Sequence, residues 1–334
     1  MILLRSLDDF PETFRGGAVA IGNFDGVHLG HARLVERLRA MAGNVGGPAV
    51  VFTFDPPPAR VLRPHAAPEP LVWIDRKIEI LAELGVDAAL VYPTNKTFLE
   101  LEARQFFDRI LRDRLGVRAM VEGPNFFFGH NRSGNVAVLR EFCAEANMPF
   151  EVAEPVEVAG QIVSSSRIRS LVSMGRLDEA RRMLGRPYRI RGVVVRGANR
   201  GAQLGYPTAN IGQIDTLLPG EGIYAARARA RTRTKNIWHP AAVSLGPNPT
   251  FDEGGLKVEA HLIGFQGMIY DRPIEVDFLA RLREIRRFAS VDALVAQMAC
   301  DVARTVEIVS TVGGSNVGGS NVGAAVALPP RDER

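Results

Sequence analysis

Apolar residues follow two different patterns in the two halves of the chain. In the first half, short apolar runs alternate with stretches in which apolar residues recur at helical spacing. Strands are predicted at 18–21, 49–54, 88–92, 119–121 and 150–156, and helices near 31–41, 76–84, 102–115 and 136–147. This alternation predicts a parallel sheet with helices on both faces, in which ligands bind at the carboxyl ends of the strands.

From about residue 185 onward, apolar and polar residues alternate with a period of two. Strands predicted at 191–195, 224–233, 241–245, 257–263 and 274–278 are separated by Gly and Pro, which indicates an antiparallel barrel. A final helix at 291–309 has one apolar face, so we expect it to pack against the barrel. The predicted domains are residues 1–184 and 185–312, each expected to work alone. A Gly-Gly-Ser-Asn-Val repeat predicts a disordered tail at 313–334.

Arginines alternate with alanines between residues 226 and 233. Such a stripe could bind RNA, but the intervening alanines favour an outer barrel strand whose arginine face is solvated. The formal net charge is only +4, and the basic residues are scattered along the chain. We therefore expect no nucleic-acid partner.

Composition is that of an ordinary globular protein, with 334 residues, 46% hydrophobic and 23% charged. No apolar run is long enough to span a bilayer, and Arg5 and Asp8 interrupt the segment where a signal peptide would be apolar. Cys143 and Cys300 are too few and too far apart for a disulfide framework. These features predict a cytoplasmic protein without a membrane partner.

The segment G-N-F-D-G-V-H-L-G-H, residues 22–31, follows the first apolar run and leads into a helical pattern. His31 is expected at the helix N-terminus, where backbone N–H groups and the helix dipole attract anions. His28 adds a second imidazole donor on the same side. The segment therefore predicts a phosphate-binding site.

Other interpretations of the two histidines are half of a metal site or surface residues on a turn. A zinc site needs three or four ligands, and the remaining His and Cys residues show no ligand spacing. The chain contains no G-x-x-x-x-G-K-[ST] motif, which excludes a P-loop. The run of serines at 164–166, followed by Arg169, begins another predicted helix and forms either a second phosphate site or a plain N-cap.

The second half has its own set of polar residues. A glycine-rich loop at 197–205 is followed by Thr208 and Asn210, whose oxygens suit Mg²⁺. Glu259 lies in a predicted strand whose apolar neighbours occupy the opposite face. Its carboxylate is either the acceptor of a hydroxyl proton or a solvated surface group.

Together these motifs resemble the prokaryotic bifunctional riboflavin kinase/FAD synthetase family over residues 1–312. In the first half the resemblance rests on the H-x-G-H signature of nucleotidyltransferases, the Phe52–Pro56 segment, N-F-F-F-G and S-S-S-R-I-R. In the second half it rests on L-G-R-P-Y, G-Y-P-T-A-N-I, G-I-Y, N-P-T-F and V-E-A-H. The most specific of these motifs is the P-T-A-N run, because it lies within a barrel pattern and downstream of H-x-G-H.

The resemblance implies a Rossmann-like adenylyltransferase domain and a β-barrel kinase domain. The barrel would phosphorylate riboflavin to FMN with Glu259 as base, Thr208 and Asn210 on Mg²⁺, and Gly197, Arg200, Gly201 and Thr208 around the ATP phosphates. The first domain would join FMN to AMP from a second ATP, releasing pyrophosphate, with His28, His31 and Arg169 stabilising the charge. ATP contacts are expected from Gly22, Asn23, Phe24, Gly30, Ser164, Ser165 and Ser166. Flavin contacts are expected from Asn125, Phe126, Phe128 and Gly129.

Departures from the family pattern concern affinity rather than the core chemistry. Pro57 stands where a His is common, so any phosphate contact of that His is either lost or taken over by Arg60. Asn125 stands where Asp is frequent, and Ser166 replaces a Thr. Ala202 and Asn248 stand where basic residues are frequent. A single-activity enzyme and a non-catalytic flavin-binding or RNA-regulating protein remain alternatives, and the oligomeric state is left open.

Overall fold

The computed structural model describes residues 1–8, 10–197, 200–230, 237–248 and 253–314. The strands of the first half are β1 (Ile2–Leu4), β2 (Ala18–Ile21), β3 (Ala49–Phe54), β4 (Ala88–Tyr92), β5 (Ala119–Glu122), β6 (Phe127–Phe128), β7 (Gly134–Asn135), β8 (Phe150–Val152), β9 (Glu157–Val158) and β10 (Gln161–Ile162). Six of them form a parallel sheet in the order β1-β4-β3-β2-β5-β8. The predicted parallel sheet is confirmed.

The strand order reverses between β2 and β5, where connections leave in opposite directions and a crevice opens at the carboxyl ends. The two strands pair only through Ala18 with Ala119 and Val19 with Met120, and then separate. The sequence did not predict β1, which pairs with β4 at the sheet edge, or the hairpins β6–β7 and β9–β10. The strand predicted at 150–156 ends at Val152.

The helices of this half are α1 (Leu29–Val45), α2 (Pro58–Leu62), α3 (Ile74–Glu83), α4 (Lys96–Leu99), α5 (Ala103–Gln105), α6 (Val136–Glu145), α7 (Ser165–Ser173) and α8 (Leu177–Leu184). A π-helical segment, Phe106–Arg114, continues α5. Four of these elements match the predicted helices. The N-terminus of α7 lies at the serine run, as expected.

The second half is a closed barrel of β11 (Tyr188–Val195), β12 (Ala209–Gly212), β13 (Gly222–Ala230), β14 (His239–Asn248), β15 (Glu253–Leu262) and β16 (Pro273–Arg283). All its described pairings are antiparallel, in the order β11-β12-β15-β14-β13-β16. The predicted barrel is confirmed. The sequence treated β12 as part of a ligand loop, because its four residues include a polar Asn and a Gly. The short helix α9 (Arg200–Gln203) precedes it.

The final helix, α10 (Val291–Gly314), contacts β13, β14 and β16, as predicted from its apolar face. It extends two residues into the segment expected to be a tail, and the remaining residues, 315–334, lie outside the described structure. Within the described ranges, no helix has both the length and the apolarity needed to cross a membrane.

The outer face of β13 differs from the solvated face that we expected. Arg227 donates to Asp277 at 2.9 Å, and Arg229 donates to Glu275 at 2.7 Å. Both carboxylates are buried, and Trp238 packs over the two guanidinium groups at 4.9 and 4.6 Å. The arginines are therefore ion-paired and half-buried. The other two arginines of the alternation lie outside the described residues.

One buried apolar cluster joins the two halves. It contains Ile168 and Leu171 of α7, Leu177 and Met183 of α8, and inward-facing barrel residues such as Phe278. The polar contacts at this junction include the backbone N–H of Leu217, which donates to the carbonyl of Pro70 at 2.9 Å. Helices α7 and α8 thus belong to the first half in sequence but share their core with the barrel.

Candidate active sites

A cavity of about 1210 Å³ opens at the carboxyl ends of β2 and β5, where the sheet order reverses. Three segments that the sequence singled out line it: the histidine loop at 22–31, the aromatic loop at 123–132 and the N-terminus of α7. All the site residues predicted for the first domain line the cavity except Arg169. The predicted convergence of these loops on one pocket is therefore present in the fold.

His28 and His31 stack on each other with ring centroids 3.8 Å apart. His28 is the N-cap of α1, and its Nδ1 accepts from the backbone N–H of His31 at 3.4 Å. Phe24 packs against His31 from the loop side at 5.1 Å. The pair is therefore fixed at the helix N-terminus, where an anion is attracted.

Both imidazoles are neutral at physiological pH. Burial lowers the pKa of His28 to about 4, and the positive charges of Arg186 and Arg169 add to this. The pKa of His31 is also lowered by burial, and further by His28, Lys77 and Arg186. Nδ1 of His31 is buried and has no hydrogen-bond partner among the described residues. Since such an orphan costs about 1–3 kcal/mol, a ligand that satisfied it would bind more tightly.

Every backbone carbonyl from Asn23 to His28 accepts a hydrogen bond from the protein. Lys77 Nζ at 2.7 Å and Thr53 Oγ1 at 3.2 Å donate to the carbonyl of Asn23. Val27 N donates to the carbonyl of Phe24 at 3.2 Å, and Ser165 Oγ donates to that of Asp25 at 2.9 Å. Arg186 donates to the carbonyl of Gly26 through Nη2 and to that of Val27 through Nη1 at 3.0 Å, and Ala32 N donates to that of His28 at 2.9 Å. The partial negative charges of the loop are thereby engaged by the protein. An anionic ligand in the cavity then meets fewer repulsive dipoles.

Arg169 is placed differently from the expectation that it faces the phosphates. Its guanidinium forms an ion pair with Asp25, and its Nε donates to the carbonyl of Glu69 at 3.0 Å. Asp25 also accepts from the backbone N–H of Leu71 at 2.9 Å. Arg169 therefore fastens α7 to the histidine loop, and its contact with phosphate stays a prediction.

The serine run caps α7 as predicted. Ser164 Oγ accepts from the backbone N–H of Arg167 at 3.2 Å, and Ser165 Oγ donates to the carbonyl of Asp25. Ser166 lines the cavity with both of them. Two helix N-termini, those of α1 and α7, thus meet at one pocket.

The aromatic loop forms another part of the cavity wall. Phe126 and Phe128 lie in parallel planes with centroids 5.4 Å apart, and Asn125 and Gly129 line the pocket beside them. Gly129 has φ +74°, and a Cβ there would lie 2.6 Å from the backbone of Ala103. The glycine is needed at this position. Flat apolar walls of this kind suit a planar ring system.

Near Pro57, the residue that lines the cavity is Arg63 rather than Arg60. Arg60 is exposed within α2. The structure therefore favours Arg63 over Arg60 as the cation of this wall.

Sequence reasoning missed Glu122, which ends β5 and lines the cavity. It is 1% exposed, and its Oε1 accepts from the backbone N–H of Ile21 at 2.8 Å, beyond the point where β2 and β5 stop pairing. Burial raises its pKa well above the usual value and so favours the uncharged form of the carboxyl. The sequence feature that could have identified Glu122 is a charged residue at the end of an apolar strand.

Lys77 and Arg186 were also missed. Lys77 occupies a position on the apolar face of α3 with Ile80 and Leu81, where a lysine is unexpected. It is 5% exposed, and burial lowers its pKa. Arg186 lies within the L-G-R-P-Y motif, which was used for the resemblance and not for the site.

The second site lies on the outer surface of the barrel. Asn210 of β12 and Glu259 of β15 are direct register partners, and their strand neighbours Ala209 and Ala260 point into the core. The two polar side chains therefore share the outer face. The expected alternation of β15 is confirmed, with Val258, Ala260 and Leu262 all buried.

The glycine-rich loop packs closely around these oxygens. A Cβ on Gly197 would lie 2.1 Å from the amide of Asn210, and one on Gly201 would lie 3.3 Å from Oγ1 of Thr208. Hydroxyl, amide and carboxylate oxygens thus meet at one loop, which suits a hard cation that also binds phosphate and water. Within the described ranges, no group of three or more His, Cys, Asp or Glu side chains has a metal-binding arrangement. The side chain of Arg200 lies outside the described part.

His261, the neighbouring candidate base, is already engaged. Its Nδ1–H donates to the carbonyl of Pro207 at 2.8 Å, and its ring packs edge-on against Tyr206 at 5.4 Å. It therefore holds the loop before Thr208. In this tautomer the lone pair is on Nε2, so His261 remains a candidate base beside Glu259.

Comparison with known proteins supports two functional halves. A family model described as FAD synthetase matches residues 10–167, and one described as riboflavin kinase matches residues 184–309. A bifunctional riboflavin kinase/FMN adenylyltransferase of Pseudomonas fluorescens is 37% identical over 304 residues, covering 91% of this chain and 96% of its own. The protein of that name from Escherichia coli K12 is 32% identical, covering 90% and 96%.

The fold also matches a solved structure over both halves of the chain. A crystal structure described as a macrolide-efflux protein from Streptococcus pneumoniae has a TM-score of 0.80 and 29% identity. The match covers 91% of this chain and 98% of that one. The relative arrangement of sheet and barrel is therefore shared.

Proposed function

Because this chain belongs to the family of bifunctional riboflavin kinase/FMN adenylyltransferases, we propose that the large cavity joins FMN to AMP and that the barrel site phosphorylates riboflavin. The two activities use ATP as co-substrate. Riboflavin becomes FMN, and FMN becomes FAD with release of pyrophosphate. The residue roles below are our assignment.

In the cavity, a phosphate oxygen of FMN attacks the α-phosphorus of ATP, and the bond to the β-phosphate oxygen breaks. The attacking oxygen is already ionised, so no protein base is needed. Catalysis then consists of positioning and charge stabilisation. His28 and His31 are neutral imidazoles that donate N–H groups to the phosphates, supported by the N-termini of α1 and α7.

The observation that carries this assignment is the state of the histidine loop. Its carbonyls from Asn23 to His28 are all bound by protein donors, while His28 and His31 line the cavity and His31 keeps an unpartnered ring nitrogen. A loop prepared in this way favours an anion. Asn125, Phe126, Phe128 and Gly129 form the flat wall that we assign to the flavin.

In the barrel, the ribityl hydroxyl of riboflavin attacks the γ-phosphorus of ATP. The hydroxyl loses its proton to Glu259 as the new bond forms, and ADP leaves. Thr208 and Asn210 would hold a Mg²⁺ ion, which neutralises charge on the ATP phosphates when bound. The loop with Gly197, Arg200 and Gly201 surrounds those phosphates.

The experiment that tests the scheme follows all three flavins in one reaction. The purified chain is incubated with riboflavin, ATP and Mg²⁺, and riboflavin, FMN and FAD are separated over time. We expect FMN to form before FAD, and FAD to form directly when FMN is supplied. Formation of FMN without any FAD would contradict our assignment of the cavity.

A further inference from the structure

The histidine loop is completed by a cation from the other half of the chain. Arg186 lies in the turn between α8 and β11, at the start of the segment matched by the riboflavin kinase model. Its Nη1 donates to the carbonyls of Val27 at 3.0 Å and Leu184 at 3.1 Å, and its Nη2 donates to the carbonyl of Gly26. One guanidinium thus binds the loop and the end of α8 together.

The two loop carbonyls that Arg186 binds come directly before His28. Val27 has φ +36°, a conformation that a β-branched residue adopts only when its surroundings enforce it, and Gly26 has φ +78°. His28 then caps α1 and stacks on His31. The orientation of both imidazoles therefore depends on a strained segment whose carbonyls Arg186 holds.

Other side chains bind the histidine loop at different carbonyls. Lys77 and Thr53 bind the carbonyl of Asn23, and Ser165 binds that of Asp25. These three residues belong to the FAD synthetase half. The last two carbonyls before the histidines are bound by Arg186, which belongs to the other half.

The charge of Arg186 acts on the same histidines. Burial lowers its pKa to about 10, so it remains positive at pH 7. Burial is the largest cause of the lowered pKa of His28, followed by the charges of Arg186 and Arg169. The pKa of His31 is lowered by burial and then by His28, Lys77 and Arg186. Asp25, the carboxylate next to these groups, is paired with Arg169.

We propose that Arg186 is a positioning residue for adenylyl transfer, contributed by the riboflavin kinase half to the active site of the FAD synthetase half. This proposal rests on our assignment of FMN adenylylation to the cavity. It makes the synthetase reaction depend on the first residues of the barrel through a defined contact, in addition to the shared apolar core.

The test uses the full chain with Arg186→Met, Arg186→Lys and the control Arg191→Met. Arg191 also crosses the junction, donating to Asp75 of α3 at 3.0 Å, but it does not bind the loop. For each variant, kcat and KM are measured for FAD formation from FMN and for FMN formation from riboflavin. The pKa of His28 is measured by NMR, with its resonance assigned from a His28→Gln sample.

We expect Arg186→Met to lower kcat of FAD formation about 10- to 100-fold, since a misplacement of about 1 Å costs on the order of 100-fold. FMN formation should stay within twofold, which also shows that the chain is folded. The pKa of His28 should rise from about 4 in this variant. Arg186→Lys keeps the charge and loses the fork of donors, so kcat should fall while the pKa of His28 stays low.

Several results would overturn the proposal. FAD formation within twofold of wild type in Arg186→Met is one, and an equal loss in Arg191→Met is another. Full activity in Arg186→Lys would show that charge alone is sufficient and that positioning is not involved. If His28→Gln abolishes FAD formation while Arg186→Met does not, the cavity assignment stands and this inference fails. If neither variant affects FAD formation, the cavity assignment itself fails.

Discussion

The two sites that we propose for this chain both take ATP but are built in different ways. The cavity site presents neutral imidazoles and two helix N-termini, on a loop whose carbonyls are bound by the protein. The barrel site presents a carboxylate, an amide and a hydroxyl on the outer face of two paired strands. In our proposal the first arrangement stabilises charge, whereas the second accepts a proton and holds a cation.

This difference follows from the two nucleophiles. The phosphate of FMN is anionic before it reacts, so a carboxylate base beside it would only repel it. The ribityl hydroxyl of riboflavin is a poor nucleophile until its proton has an acceptor. Glu122, the carboxyl in the cavity wall, fits the same rule, because burial raises its pKa and so favours its uncharged form.

The largest effect is expected at the barrel site, from Glu259→Gln. Glutamine keeps the shape but cannot accept the proton, so FMN formation should fall by roughly two to four orders of magnitude. FAD formation from supplied FMN should be unchanged, and the KM for ATP should barely move. Initial rates of both reactions, measured by chromatography of the flavins, check this.

Glu307→Gln, on the exposed side of α10, is the matched control for Glu259→Gln. It should leave both rates at the wild-type level. Kinase activity of Glu259→Gln within a few-fold of wild type would rule out Glu259 as the base. His261 as the base, or direct transfer of the proton to phosphate, would then be the next candidates.

The second effect belongs to the cavity, from His28→Ala and His31→Ala. Each should lower FAD formation by about two to three orders of magnitude, the range seen when one transition-state donor is removed. FMN formation should survive. His65→Ala, an exposed histidine outside the cavity lining, is the control. Loss of both activities in a folded variant would contradict the separation of the two sites.

How much the sequence revealed differed between the two regions. The parallel sheet, the barrel, the final helix and the cavity-lining segments followed from hydrophobic periodicity and from motifs. These features are local, because periodicity reports which face of an element is buried. The strand β12 was missed because it has only four residues, too few to show a clear alternation of apolar and polar side chains.

The supports of the histidine loop could not be predicted in the same way. Lys77, Glu122 and Arg186 lie about 50 to 160 residues from the carbonyl or N–H group that each of them binds. Their roles depend on contacts between distant segments, within the first half for Lys77 and Glu122 and between the two halves for Arg186, which no local pattern records. Arg169 illustrates the converse: its motif position suggested a phosphate contact, and the fold pairs it with Asp25.

A third effect should follow from separating the halves. The sequence predicts that residues 1–184 make FAD from FMN alone. The structure adds that α7 and α8 bury apolar residues against the barrel and that Arg186 is removed by this cut. We therefore expect a fragment of residues 1–184 to melt at a lower temperature than the full chain. Its FAD formation should be about 10- to 100-fold slower.

Circular dichroism melting and flavin chromatography of the fragment and the full chain test this expectation. The matched variant is Arg186→Met in the full chain, which removes the same contact and keeps the core covered. A fragment as active and as stable as the full chain would show that the first half is independent of the barrel.

The smallest effect concerns Glu122 and appears in the pH dependence of stability. Above pH 4.5 the unfolded chain releases the Glu122 proton, whereas the folded chain retains it because burial raises its pKa. The unfolded state then binds fewer protons, so this residue makes the wild type less stable as pH rises, by at most about 1.4 kcal/mol per pH unit. The loss continues until the pH passes the folded-state pKa.

Glu122→Gln removes this titration and keeps an oxygen that accepts from the N–H of Ile21. The Tm of the variant minus that of the wild type should therefore grow by a few degrees as the pH rises above about 4.5, while FAD formation stays within a few-fold. Glu151→Gln, on the neighbouring strand β8 and paired with Arg37 outside the core, should show no such trend. A Tm difference that is constant or shrinks with pH would mean that Glu122 is ionised in the folded state. The cavity would then hold a carboxylate, and its contrast with the barrel site would no longer rest on charge.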